Sequence, residues 1–542
     1  MCLNVFFVYL RQTFTKSHTM KLKHYALLLI LGMFSGYLTG QEPVNEEINN
    51  SLRKHGLEQS EVMEIASWMT DVYGPRLTGS PMLDKATDWA VETLKEWGMA
   101  NVHTEEWGPF GRGWTLEHFE MHATAPNYFP VLAYPRAWSP STKGEVEGDV
   151  VYVSLEEEAD LDKFRGKLRG KFIFLDTIRE VKEWFDPPAT RYEAGDLLEM
   201  ANAQAPSARR RSGNWRGSGQ SLTQKLYALL HEEKPHAIIT RSYKGDLGTV
   251  FVSGVRTVEG RAWDEGVEVV PQLTMSVEHY NRIFRLLSKG IPVRLSMDLK
   301  SSYYDKDPME RNIIAEIPGT DLADEVVMFG AHFDSWHTGT GATDNAAGSS
   351  VMMEAARILL ETIKETGIQP RRTLRLALWT GEEQGLYGSR AYVGDHYAVV
   401  EGYRNVQSLK PDQKKVSAYY NLDNGTGKIR GVYLQGNQAA DPIFRSWLEP
   451  FKDLGASTIT LQNTGGTDHL AFDAAGIPGF QFIQDPMAYF NRTHHSNMDN
   501  FDHLVEDDLK QAATIIASFV MHTAMRDEQI PRKPIELEVA ED

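Results

Sequence analysis

Five polar clusters in this sequence carry residue types that could do chemistry. They are Gly330-Ala331-His332-Phe333-Asp334-Ser335-Trp336, Gly341-Ala342-Thr343-Asp344-Asn345, Trp379-Thr380-Gly381-Glu382-Glu383-Gln384-Gly385, Asn421-Leu422-Asp423-Asn424-Gly425 and Thr493-His494-His495-Ser496-Asn497-Met498-Asp499. Imidazoles and carboxylates without a thiolate are the ligand set of a divalent ion, and zinc is the usual choice for such mixed sites. Two zinc ions held ~3.5–4 Å apart need about five protein ligands, one of them bridging. His332, Asp344, Glu383, Asp423 and His495 meet that count. The adjacent Glu382 is free to take a proton from an activated water, and Asp334, two residues beyond His332, is expected to hold the other ring nitrogen and fix its tautomer. Taken singly, each residue has a plainer explanation. A histidine at a strand end is often structural, an aspartate opening a helix is often an N-cap, and Asp423 before Asn-Gly suits a turn. Their order along the chain favours the metal.

The elements that must position these clusters are legible as hydrophobic pattern. Buried-strand candidates are Val326 to Phe329, Leu374 to Trp379, Val416 to Leu422, Val432 to Gln435 and Gly479 to Ile483, with helical stretches at Gly348 to Thr366, Asp441 to Leu454 and Asp508 to Met525. Apolar strands alternating with amphipathic helices predict an α/β fold, a mixed central sheet covered by helices on both faces. In such sheets functional groups gather where strands run out into loops, and each polar cluster falls at such a place. Between about Pro130 and Met297 the pattern changes to short strand-like runs, Asp149 to Val153, Lys171 to Leu175, Ala237 to Thr240, Thr249 to Val252 and Val269 to Leu273. That texture predicts an inserted β-rich domain. The expected division is 57–127 and 301–530 for the catalytic domain and 128–300 for the insertion. Before it, Gln59 to Trp97 has helical periodicity interrupted by Gly74-Pro75-Arg76-Leu77-Thr78-Gly79-Ser80-Pro81, a loop closed by a Ser-Pro helix start.

Composition narrows the classes. The 542 residues carry 56 Lys plus Arg against 74 Asp plus Glu, a net charge of -18, which disfavours nucleic acid and anionic membranes as partners. The single cysteine, Cys2, permits neither an intrachain disulfide nor a cysteine-rich metal site. Lys21 and Lys23, the apolar run Tyr25 to Phe34 and the small residues up to Gly40 read as a signal peptide over 1–40, with 1–19 as an upstream extension if Met20 is the start. The apolar run is short for a bilayer span, which needs ~20 residues. The expectation is an exported chain, extracellular or periplasmic, with no stable membrane anchor. Residues 41–58 and 531–542 read as mobile ends, and the basic loop Ala208 to Gly219 as a solvated loop or a substrate contact.

The ordered pattern His332-x-Asp334, Asp344, Glu382-Glu383, Asp423 and His495, with Gly466-Thr467-Asp468 and His494-His495-Ser496-x-x-Asp499, resembles the M28 family of co-catalytic zinc exopeptidases. The likeness runs from about Gly74 to Val520. It implies two zinc ions per subunit, bridged by Asp344, with His332 and Asp423 completing one site and Glu383 and His495 the other. It implies Glu382 as the general base and then acid, a cis peptide after Asp344, a protease-associated (PA) fold for the insertion, and peptides or dipeptides as substrates. A homodimer is compatible with it. His494 stands where many members have tyrosine, so it either contacts the oxyanion or packs. The polarity stays open between a carboxypeptidase or dipeptidase and an aminopeptidase. A carboxypeptidase needs a cation for the terminal carboxylate, and Arg390 and Arg492 are candidates by motif proximity. A one-zinc glutaminyl cyclase is disfavoured by the full ligand set, and a receptor-like module by the absence of eroded ligands.

Overall fold

Strands that are largely apolar on both faces can be buried on both, and four such strands form the centre of an eight-stranded sheet. Val326–His332, Val416–Asn421 and Gly479–Gln484 are buried throughout, and Thr373–Trp379 at all positions but Arg375. The computed structural model describes residues 42–206, 221–402 and 405–535. The signal-peptide segment and the basic loop 208–219 lie outside these residues. The four central strands run parallel. Antiparallel strands flank them, and the full order is Ala100–Trp107, Glu310–Ile317, Thr373–Trp379, Val326–His332, Val416–Asn421, Gly479–Gln484, Ile429–Tyr433 and Thr458–Thr460. The long helices Ala347–Thr366 and Glu506–Met525 pack on each other and on the central strands. Elsewhere Tyr392, Val393 and Phe472, from helices Tyr387–His396 and His469–Ala474, pack against Met328, Ala377 and Tyr419. This is the mixed α/β architecture that the strand and helix pattern predicts.

Because the central strands are parallel, their carboxyl ends share one rim, and His332, Trp379 and Asn421 end three neighbouring strands there. Gly341 opens the Asp344 turn with φ 66°, a left-handed conformation that costs glycine little. Gly348 lets the following helix approach the sheet; a Cβ there would lie 2.3 Å from the Leu422 carbonyl oxygen.

A second eight-stranded sheet, in the order Phe129–Pro130, Gly113–Ala125, Arg294–Tyr304, Val146–Tyr152, Phe172–Phe174, Ala237–Arg241, Gln272–Met275 and Ala133–Pro135, is part of the same unit, which begins at Asn45. Thr249 to Val252, expected as one of its strands, does not join it. The segment instead meets the loop that carries His495. Val252 N donates to the His495 carbonyl at 2.9 Å, and Val250 N to Asn497 Oδ1 at 2.7 Å. A short apolar run signals extension, not the partner it will find.

The expectation of a mobile end over 41–58 also gives way. Glu46–Arg53 is a helix, capped by Asn45 Oδ1 accepting from Ile48 N at 3.1 Å, and its Ile48 and Leu52 are fully buried against the two long helices. Its polar composition hid a narrow apolar stripe. Among the described residues no helix is long and apolar enough to cross a membrane. Leu52→Ala should lower the unfolding free energy by about 2–5 kcal/mol in urea titration; a change below about 0.5 kcal/mol would mean that this helix is not part of the core.

Candidate metal centre

At the rim, the carboxylate of Asp344 presents its two oxygens to two different groups. Oδ1 lies 3.3 Å from His332 Nε2, which is itself 3.3 Å from Asp423 Oδ1. Oδ2 lies 3.2 Å from His495 Nε2, and that nitrogen is 2.9 Å from Glu383 Oε2. Thus all five expected ligands converge. His494 joins them: its ring stacks on that of His495 at 3.7 Å, and its Nε2 is 3.8 Å from Asp344 Oδ2. Two triads, His332–Asp344–Asp423 and Asp344–His494–His495, each offer donor atoms within 4.8 Å of one another. Glu382 stands nearby with Oε2 3.9 Å from His332 Nε2. Asp344, Glu382, Glu383, Asp423, His494 and His495 line a cavity of about 390 Å³ together with Tyr489 and Phe490.

His332 Nε2, Asp344 Oδ2 and Glu383 Oε1 are buried without a hydrogen-bond partner. Buried polar atoms are seldom left so. Converging imidazoles and carboxylates that fail to satisfy one another fit a borderline divalent cation.

The loops are held by groups outside this set. Asp334 does not fix His332 through its carboxylate: Nδ1 lies 3.0 Å from the Asp334 main-chain oxygen and 3.6 Å from its Oδ1. That carboxylate accepts from Glu382 N and Glu383 N, each at 3.2 Å, and from Thr78 Oγ1 at 2.9 Å. The extended segment brings the backbone, not the side chain, back to the ring. Asp499 accepts from Thr343 N at 2.6 Å and Asp344 N at 3.2 Å, so it clamps the turn on which Asp344 sits, and the Asp344–Asn345 peptide is cis. Arg76, fully buried, donates to the carbonyls of Phe333, Met69, Thr340 and Gly341 at 2.7–3.0 Å. It ties the His332 loop to the Asp344 turn. The Gly-Pro-Arg-Leu-Thr-Gly loop was legible as a loop, but nothing in it signalled a bonding pattern to carbonyls 257 to 265 residues away. Asp499 had a signal, its fixed place after the histidine pair.

Neither arginine considered for a terminal carboxylate lines this cavity. Arg390 lines a separate aromatic cavity with Trp107, Phe110 and Tyr387.

In the metal-free chain, crowded acids perturb one another. Burial pushes Glu382 well above the ordinary carboxyl range, with Asp423, Asp468 and Glu383 adding and His332 opposing. Burial likewise raises Glu383, Asp468 and Asp499 to about 7. Burial resists charge on both His332 and Asp344, yet Asp423 and Glu382 lift the histidine well above its usual range, while His332 and His495 hold the aspartate well below its own. His495 also loses charge stability through burial, but Glu383 and Asp344 raise it to about 10, whereas burial takes His494 down to about 4. Arg76 is pulled by burial to about 10 although Asp499, Asp334 and Asp344 favour its charge.

Residues 312–520 match the model of peptidase family M28. Over that stretch the chain is similar to M28 peptidases. It is 27% identical to carboxypeptidase Q of Mus musculus over 503 residues, 91% of this chain and 92% of that one. A peptidase M28 precursor from Shewanella amazonensis shares the fold, with a TM-score of 0.64 at 23% identity over 90% of this chain and 98% of that chain. A zinc aminopeptidase from Bacillus subtilis does so with a TM-score of 0.52 at 19% identity, over 86% and 95%. The family match supports a peptidase acting on peptides, and the converging imidazoles and carboxylates support a metal-dependent one.

The raised carboxyls and the raised His495 act in one direction on metal-free stability. Each binds more protons folded than unfolded between their ordinary values and about 7 or about 10, so stability falls as pH rises through that range. The melting temperature of the chelated protein should decline from pH 5 to pH 9. Zinc competes with those protons and should flatten or reverse the slope; identical slopes with and without zinc would show that the cluster is not the metal site.

Proposed function

We propose that this M28 peptidase is an exported di-zinc exopeptidase that removes residues from a free carboxyl terminus, with dipeptides and short peptides as substrates. The observation that carries the two-ion reading is Asp344, whose Oδ1 faces His332 and whose Oδ2 faces His495. His332 and Asp423 would hold one ion, Glu383 and His495 the other, and Asp344 both. Bound there, zinc supplies Lewis acidity, which acidifies water and polarises the scissile carbonyl.

This chain's own residues do the rest. Glu382 takes the proton of the attacking water and returns it to the leaving amine. Burial raises its carboxyl above the usual range, which strengthens it as a base towards the water and suits it to hand the proton on. Asp334 acts through the backbone, anchoring Glu382 and Glu383 by their amides. His494, kept neutral by burial and lining the same cavity, donates to the substrate oxyanion. The inserted sheet is read as a PA-like domain over 128–300. The similarity to carboxypeptidase Q over 91% of the chain supports the carboxyl-terminal polarity. Lys21 and Lys23 before the apolar run support export.

Two variants separate base from ligand. Glu382→Gln should keep the bound metal and lose turnover by roughly 10²–10⁴-fold, whereas Asp344→Ala should lose metal by elemental analysis. A Glu382→Gln protein with near-normal turnover, or an Asp344→Ala protein with full metal content, would refute the respective role. Polarity is read by hydrolysis of one dipeptide offered free, N-acylated and C-amidated. We expect cleavage of the N-acylated form and not of the amide; the reverse would make the enzyme an aminopeptidase on the same metals.

A further inference from the structure

A second cavity, of about 480 Å³, opens on the other side of His495, and its wall is basic in an otherwise acidic protein. Arg136, Arg241 and Arg256 line it, with Asp176 as the one carboxylate among the lining residues. Arg136 donates Nη2 to Thr240 Oγ1 at 2.9 Å and Nε to Thr274 Oγ1 at 3.3 Å. Both acceptors are uncharged, so they aim the guanidinium without neutralising it. Arg256 lies over the Tyr227 ring at 5.5 Å, and Arg241 Nε donates to the Thr177 carbonyl. None of the three is ion-paired among the described residues. Burial holds Arg136 below the usual arginine range, and Arg256 adds repulsion. Thr223, in the first turn of the helix Leu222–Glu233, also faces this cavity and brings the positive end of that helix to it.

The cavity is tied to the metal centre by three backbone contacts. His337 Nε2, on the loop after His332, donates to the Pro135 carbonyl immediately before Arg136 at 2.8 Å. Ala137 N, immediately after it, donates to the Ser253 carbonyl, and Val252 N donates to the His495 carbonyl. Arg136 is therefore registered against both metal-site loops. Arg136, half-buried and aimed by neutral hydroxyls, stands with the exposed Arg256 against the single carboxylate of Asp176, and such a guanidinium pair is suited to take a carboxylate in a forked, charge-assisted contact.

We infer that the cavity lined by Arg136 and Arg256 binds a carboxylate of the peptide substrate, so that the inserted sheet reads the substrate end that the metal-bearing sheet cleaves. This rests on the carboxypeptidase reading above. The carboxylate has two sources, the peptide's terminus or an acidic side chain at its last residue. The test uses the zinc-loaded full chain with Ala-Leu and its C-terminal amide as one pair, and Ala-Glu and Ala-Gln as another. Arg136→Met and Arg256→Gln should each reduce the acid-over-amide preference roughly 10- to 100-fold, mainly through KM, and Arg136→Lys should restore part of it. Zinc content and melting temperature show that each variant is folded. If the variants instead lose only the preference for Glu over Gln, the cavity binds the side-chain carboxylate. If the wild type prefers acid over amide and neither variant changes either ratio, this inference is overturned while the polarity stands. A wild type indifferent to both pairs overturns the carboxypeptidase reading and this inference together.

Discussion

The structure is organised around a concentration of negative charge that it has taken out of water. Asp334, Asp344, Glu382, Asp468 and Asp499 are all buried, and Glu383 and Asp423 stand among them. Burial itself disfavours their charge and nearby like charges add repulsion, and three of these acids rise to about 7. Arg76 answers part of that field, but its donors are spent on four carbonyls, so it works as a brace as well as a counter-charge. The remaining imbalance is what bound divalent metal would relieve, which would link folding to metal binding.

Parallel strands make the concentration geometrically feasible. Their carboxyl ends share one rim, so the loops that follow are forced into one another's company whether or not their charges agree. Holding such loops in register falls to groups that never touch the reacting atoms. Asp499 fastens the Asp344 turn, Asp334 fastens the glutamate pair, and Thr78 fastens Asp334. Removing any one would leave the ligands present but less well oriented, which at metal sites typically costs about 10–100-fold in metal affinity or activity.

The second sheet has an opposite electrostatic character where it meets the first. The neighbouring Thr249 to Val252 segment, outside the sheet itself, pairs with the His495 loop, and the sheet's Ala133–Pro135 strand is bonded to His337. One sheet supplies the acids that would hold cations, and the other brings arginines to the edge of the same histidine. In an acidic protein the wider field repels polyanions, while a local basic wall favours a small anion.

What the sequence determined by itself was local. Runs such as Val326 to Phe329, and Leu374 to Trp379 with Arg375 as its one polar member, are apolar and bounded by polar clusters, so strand type, the α/β class and the identity of the candidate ligands follow from neighbouring residues. The Ser80-Pro81 helix start was legible for the same reason, and Ser80 Oγ accepts from Leu83 N. Tertiary structure alone decided which groups answer one another across hundreds of residues. It turned Arg76 from a loop residue into the brace between two metal-site loops, redirected the Asp334 carboxylate from the His332 ring to the glutamate amides, and made a packed helix of Glu46–Arg53. It also brought Arg136 beside His495. Periodicity encodes which face of an element is apolar, but a hydrogen bond to a distant backbone carbonyl leaves no mark on the residue that supplies the carbonyl, since every residue has one.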